Sequence, residues 1–228
     1  MAGDIAYYGD ANNNSEYGSY LTMYGYGGDD TLGSDGVAVG FVKIYGGGDN
    51  DTLSYYGMGT AKLYGGKGND WAGGGIYNDV IIGGKGRDTL VGDAGDDNLK
   101  GGKGGDWMFG GLGNDWMKGG KGPDHYGFNT TPDSQTNMDM IVDFSVKQDM
   151  LHFNHYVYTS GWQGTTGELS KKFFKLGKGA KDGNDYFGYN PKNGIVWYDY
   201  NANDPGGQEA VAKMDAHLNL TFHHFMFD

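Results

Sequence analysis

The sequence predicts an all-β chain wound into a flattened parallel coil, and three observations predict it. Residues 65–127 are seven contiguous copies of G-G-x-G-x-D-x-U-x, with U a large apolar residue, starting at Gly65, Gly74, Gly83, Gly92, Gly101, Gly110 and Gly119. Their sixth residues are Asp70, Asp79, Asp88, Asp97, Asp106, Asp115 and Asp124, all aspartate. The third residue alternates, reading Lys67, Ile76, Lys85, Ala94, Lys103, Leu112 and Lys121. The structural period is therefore two copies, with odd copies stacked along one edge of the coil and even copies along the other.

Within a copy the first six residues read as a turn and the last three as a short strand, the eighth pointing inward and the seventh and ninth outward. One inward column is then Ala72, Leu90, Met108 and Tyr126, and the other Ile81, Leu99 and Met117. Successive coils pair as parallel strands about 4.8 Å apart. Two looser copies come first, at 25–33 and 46–54, with Asp30 and Asp51 in sixth place. Each reads as half a coil whose other half has drifted, and Tyr24, Tyr45 and Tyr64, each directly before a copy, keep the phase.

After Gly127 the repeat stops. Strand-like runs follow at 138–144 and 150–153, then a hairpin with arms 186–189 and 195–200 joined through Pro191, Asn193 and Gly194. The stretch 209–218 suits a helix or a strand equally. This region is expected to cap the stack, because the last coil otherwise exposes an apolar face and an unpaired edge. Three regions result: irregular coils over 1–64, regular coils over 65–127 and a β-rich cap over 128–228.

Composition bounds the chemistry. The chain holds 46 glycines in 228 residues, with a mean hydropathy of -0.61. Ordering so much glycine is entropically expensive, so something beyond apolar burial must offset it. The acids are 26 Asp and three Glu, as suits a short carboxylate bending back from a tight turn, and the net charge is -12. That charge excludes nucleic acid as a partner and favours cations. The absence of cysteine excludes disulfides and thiolate zinc sites. No apolar stretch approaches membrane-spanning length, and the first residues lack the basic and apolar pattern of a signal peptide. No metalloprotease, nucleophile-elbow or phosphate-loop motif is present, so the expectation is a non-enzymatic chain.

A carboxylate on every coil edge creates a physical problem. Two unit charges about 5 Å apart repel by about 3 kcal/mol at an effective dielectric of about 20. Several such repulsions exceed a domain's usual margin of about 5–15 kcal/mol. Calcium between successive turns reverses the sign, since it takes six to eight oxygens and accepts carbonyls beside carboxylates. Magnesium, with its stricter octahedron, suits pliable glycine turns poorly.

These repeats resemble the RTX (repeat-in-toxin) family. The resemblance extends past the coils: Asp139, Asp143 and Asp149 sit in a segment similar to the D-x-I-x-D-F-x-x-G-x-D run of secreted RTX proteases and epimerases, with Lys147 in place of its glycine. Asp185-Tyr-Phe-Gly-Tyr and Trp197-Tyr-Asp199-Tyr resemble the family's C-terminal hairpin, and Phe225-Met-Phe-Asp228 its apolar export tail. The resemblance implies a right-handed parallel β-roll with a C-terminal β-rich cap, calcium between the turns, and export by type I secretion machinery to an extracellular or cell-surface location.

It also implies a ligand set in which carbonyls of positions two and four and the sixth-position Asp face carbonyls of positions one and three and the Asp of the next copy on that edge. Gly84, Gly86 and Asp88 then face Gly101, Lys103 and Asp106. On the other edge Asp93, Gly95 and Asp97 face Gly110, Leu112 and Asp115. The same scheme takes in Gly66, Gly68, Gly83, Lys85, Gly92, Ala94, Gly102, Gly104, Gly111, Gly113, Gly119, Gly120, Lys121 and Gly122, together with Asp139, Asp143 and Asp149. Coil arithmetic gives roughly five to eight calcium ions. Tyr77 and Asp49 depart from the family pattern at position four and Tyr26 at position two.

The implied function is a calcium-binding module that folds after export. Two other readings stand beside it: the tail of a larger RTX lipase, protease or epimerase, or an accessory domain binding anionic polysaccharide. For the last, Lys67, Lys85, Lys103 and Lys121 form a basic ridge beside outward Trp71, Trp107, Phe109 and His125. The plainer account is that the lysines relieve acid repulsion and the C-terminal region covers the aromatics. His217, His223 and His224 suit a transition metal or plain packing. Asp143 and Asp149 suit an acid/base couple, ion ligation or turn capping.

Overall fold

A computed structural model describes residues 6–35, 41–158, 166–180, 186–201 and 207–228. Asp185, at the start of the expected hairpin, lies outside them. Strands alternate between two sheets. Sheet one stacks Ala6–Tyr8, Thr22–Tyr24, Val42–Gly47, Ala61–Lys67, Val80–Lys85, Asn98–Lys103, Trp116–Lys121 and Asp139–Val142. Sheet two stacks Ser15–Gly18, Thr31–Ser34, Thr52–Tyr55, Trp71–Gly75, Thr89–Ala94, Trp107–Leu112, His125–Phe128 and Met150–Phe153. Every pairing within these stacks is parallel, so the chain is a parallel β-solenoid.

The predicted columns hold. Leu90 pairs with Ala72 and Met108, and Met108 with Tyr126. Leu99 pairs with Ile81 and Met117, and every member of both columns is fully buried. Through the regular coils the core is therefore two single files of side chains, one per sheet, while Val42 and Ala61 add a second buried file beside Ile44 and Leu63 in the irregular coils. The drifted half-coils also hold their phase: Tyr24, Tyr45 and Tyr64 stand in register and stack with ring centroids 4.9 and 4.7 Å apart.

The strands are longer than the sequence suggested. Asn98–Lys103 joins the last three residues of one copy to the first three of the next, so only positions four to six form the turn. Glycine allows this at two places. Gly104, at position four, has φ +129°, and a Cβ on it would overlap the Gly86 carbonyl of the coil below. Gly101, at position one, has a Cβ direction filled by the Asp106 carboxylate.

The solenoid also continues past Gly127. Met140 pairs with Trp116 and Met150 with His125, so 139–153 builds a further coil after the glycine formula has gone. Beyond it, sheet one extends through Gln208–Lys213, Ile195–Asp199, Phe187–Asn190 and Phe174–Leu176. The hairpin forms as expected, with Phe187–Asn190 antiparallel to Ile195–Asp199, and 208–213 settles as strand. Sheet two continues with Phe225–Phe227 parallel to Met150–Phe153 and ends with Gly167–Glu168 antiparallel to Phe225–Phe227. Phe225 and Phe227 are buried, so the tail that resembles an export signal is part of the folded sheet.

Candidate metal centre

The sixth-position aspartates form two ladders, one along each edge. The backbone N–H of Asp88 donates to Oδ1 of Asp106 at 2.9 Å, and that of Asp106 to Oδ1 of Asp124 at 3.0 Å. Upstream the same bond links Asp30 to Asp51, Asp51 to Asp70 and Asp70 to Asp88. On the opposite edge Asp79 donates to Asp97, and Asp97 to Asp115 at 2.8 Å. The ladders run on into the C-terminal segment, where Asp115 donates to Asp139 and Asp124 to Asp149.

The second carboxylate oxygen is the telling one. Oδ2 of Asp30, Asp51, Asp70, Asp79, Asp88, Asp97, Asp106, Asp115 and Asp124 is buried with no hydrogen-bond partner. One buried polar atom left unpaired costs about 1–3 kcal/mol, and these are nine of one kind. Each lies where a Cβ on the first glycine of its own copy would stand. A Cβ on Gly92 would meet both Asp97 Oδ2 and the Gly110 carbonyl of the next coil, and one on Gly65 both Asp70 Oδ2 and the Gly83 carbonyl. An oxygen cradle of carboxylate and carbonyl is the donor set of a hard cation.

Electrostatics agrees. With no counter-cation, burial pushes Asp97 up to about 8, and Asp51, Asp79, Asp88 and Asp124 up to about 7. It pushes Asp70, Asp106 and Asp115 to about 6. Asp139 is raised by burial and then by the Asp115 charge. These groups demand a proton or a metal.

The structure brings the implied turns together. Gly84 stands in register with Gly102, and Gly86 N–H donates to the Lys103 carbonyl at 2.8 Å. Asp93 pairs with Gly111, and Gly95 N–H donates to the Leu112 carbonyl at 2.8 Å. Each carbonyl keeps a second lone pair. Asp93, Tyr26 and Asp49 take the positive φ that glycine usually supplies. Among the described residues no three acid or histidine side chains converge on one point, so carbonyls must complete any ion's shell.

The C-terminal aspartates differ. Asp149 accepts from Asp124 with one oxygen and from Ser145 at 2.7 Å with the other, closing the turn before its strand. Asp143 has φ +72° and is met by the N–H groups of Gly119 and Gly120. The histidines disperse: His217 N–H bonds the Pro191 carbonyl, His223 pairs with Glu168, and His224 reaches the Val146 carbonyl.

A second ladder at position five was not foreseen. Asn69 Oδ1 accepts from Arg87 N–H at 2.7 Å, Asn50 from Asn69, Asn78 from Asp96 and Asp96 from Asn114. Its signal was present, because Asn or Asp fills that position in Asn50, Asn69, Asn78, Asp96 and Asn114. Such side chains cap the next turn.

The RTX calcium-binding nonapeptide repeat (4 copies) matches residues 40–57, 64–99, 73–108 and 91–126. Residues 40–57 and 64–126 are thus similar to RTX repeats. RTX repeats bind calcium, and the buried aspartate ladders are the feature of this chain that fits that ion. The matched RTX segments leave the cap beyond residue 126 uncovered. No curated protein matches the chain. Among the described residues no helix is long and apolar enough to cross a membrane.

Proposed function

We propose that this chain is a non-enzymatic module that calcium folds outside the cell, and that five to eight ions hold its coils. The observation that carries this is the row of nine buried Oδ2 atoms without partners. At low calcium the aspartates ionise in water and the glycine-rich chain gains more by staying unfolded. At the millimolar calcium found outside cells the ions bind only the coiled state and stabilise it by mass action.

Type I export suits this scheme. The apolar tail is buried as a strand in the folded sheet, so an export machine reads it only on the unfolded chain. Low cytosolic calcium keeps the chain threadable, and folding outside draws it forward. Circular dichroism in EGTA and then in millimolar calcium tests the reading. Coil should turn to strand as calcium is added; identical spectra at both calcium levels would refute it.

A further inference from the structure

Three titratable side chains lie in line across the outer face of sheet two, where the regular coils meet the cap. His152 Nδ1 donates to the Asp228 carboxylate at 2.7 Å, and its Nε2 stands 2.8 Å from Nδ1 of His125. The strand register explains the line. His152 pairs with Gly127 on one side and Met226 on the other, so His125 lies two residues back along one neighbour and Asp228 two residues on along the other. An even offset keeps all three on one face. Trp107 walls the histidine pair, its ring stacked on His125 at 4.3 Å and 4° and tilted against His152 at 4.5 Å. His152 is buried and His125 half-buried.

This arrangement fixes a lone pair. In the neutral ring the Asp228 carboxylate holds the His152 proton on Nδ1, so Nε2 is bare and aimed at His125, the orientation a carboxylate gives to a metal-ligating imidazole. Nδ1 of His125 either donates a proton to it or joins it on a cation. In the second case the neutral His125 ring moves its own proton to Nε2, and none leaves the protein. The distance between the nitrogens selects the metal. Atoms 2.8 Å apart, with bonds of about 2.0–2.1 Å, subtend about 85–90° at an ion. Neighbours in a square-planar or octahedral shell make that angle, whereas tetrahedral zinc would spread the nitrogens to about 3.3 Å. Among the described residues no third acid or histidine side chain converges with the pair, so water completes the shell.

We propose that His125 and His152 form a copper(II) site joining the last regular coil to the coil that follows it, with Asp228 as the positioning carboxylate and Trp107 as its wall. Imidazole binds copper(II) more tightly than the other divalent first-row ions, and the ion's tetragonal preference matches the angle. Nickel and zinc should bind there more weakly. The site leans on the calcium-folded roll proposed above, because only the wound chain brings together two histidines 27 residues apart. It is separate from the aspartate ladders, whose donors are all oxygen. His217, His223 and His224 have their own partners elsewhere and supply it no ligand.

Electron paramagnetic resonance of the full chain with one equivalent of copper(II) in millimolar calcium tests it, with affinity read by calorimetry. Two equatorial nitrogens are expected. His125→Phe keeps a ring on Trp107 but removes the nitrogen, and should lose the site. Asp228→Asn should weaken it about tenfold. His223→Ala should change neither signal nor affinity. Circular dichroism of the same samples separates the site from the calcium reading. A chain that gains strand with calcium but shows no two-nitrogen signal overturns the site alone. So does a signal that survives His125→Phe or disappears in His223→Ala. A two-nitrogen signal lost in His125→Phe upholds the site even where calcium leaves the strand content unchanged, and then the calcium reading falls instead. A chain that gives neither response overturns both.

Discussion

The regular coils and the cap solve the same problem by different means. In the coils each strand buries one apolar side chain, as Leu99 does, and each turn buries one carboxylate with an unpaired oxygen. In the cap Phe153 alone touches the rings of Phe128, Tyr158, Phe187, Phe225 and Phe227 at centroid distances of 4.9–5.9 Å. Asp149, at the border, already has both oxygens bonded. The difference teaches that a β-solenoid can be stabilised by ions or by rings, and that this chain changes from one to the other within two coils.

Substitutions in the two regions should therefore respond differently to calcium. The largest effect is expected for Phe153→Ala, a loss of about 3–5 kcal/mol in thermal or urea unfolding at saturating calcium. Added calcium should not restore it. Asp97→Asn should cost about 3 kcal/mol at saturating calcium, the worth of an ion held at about a hundred times its dissociation constant. In EGTA its effect on the residual strand signal should change sign, because the amide spares the folded chain the cost of protonating a carboxylate or leaving it charged in the closed turn. If Asp97→Asn destabilised equally in calcium and EGTA, the contrast between the regions would fail.

A smaller effect concerns pH. An aspartate with a folded pKa of about 6 to 8 and an unfolded value of 3.8 binds its proton more tightly in the folded chain. Without calcium, that proton supports the fold fully below about pH 4, and the support is lost as pH rises through about 6 to 8. Calcium that folds the ionised chain meets carboxylates whose unfolded pKa is 3.8, so its midpoint should hold between pH 6 and 8 and rise as pH falls below about 5 and the unfolded aspartates take up protons. Calcium titrations from pH 8 down to 4 check this, and a midpoint unchanged down to pH 4 would show that the carboxylates are not the ligands.

Much of this was legible in the sequence because the repeat is strict. The eighth-position columns, the two edges and the phase of the tyrosines follow from a nine-residue period with every second lysine. Strand length was misjudged because glycine at positions one and two reads as turn, whereas here it is strand made narrow enough to admit an aspartate from its own copy. The further coil at 139–153 was hidden because Asp139 and Asp149 follow Asp115 and Asp124 after irregular insertions, so the register survives in space while the period does not. The orphan oxygens were beyond reach of pattern alone, since which of two carboxylate oxygens finds a donor depends on the stacking of coils.

The most direct measurement is a crystal structure of the chain grown in millimolar calcium. The account predicts an ion between coils within about 2.3–2.6 Å of Asp97 Oδ2, sharing carbonyl oxygens of the neighbouring turns, and the same along the Asp70 to Asp124 edge. Aspartates folded into the same ladders with water or nothing at Oδ2 would contradict it.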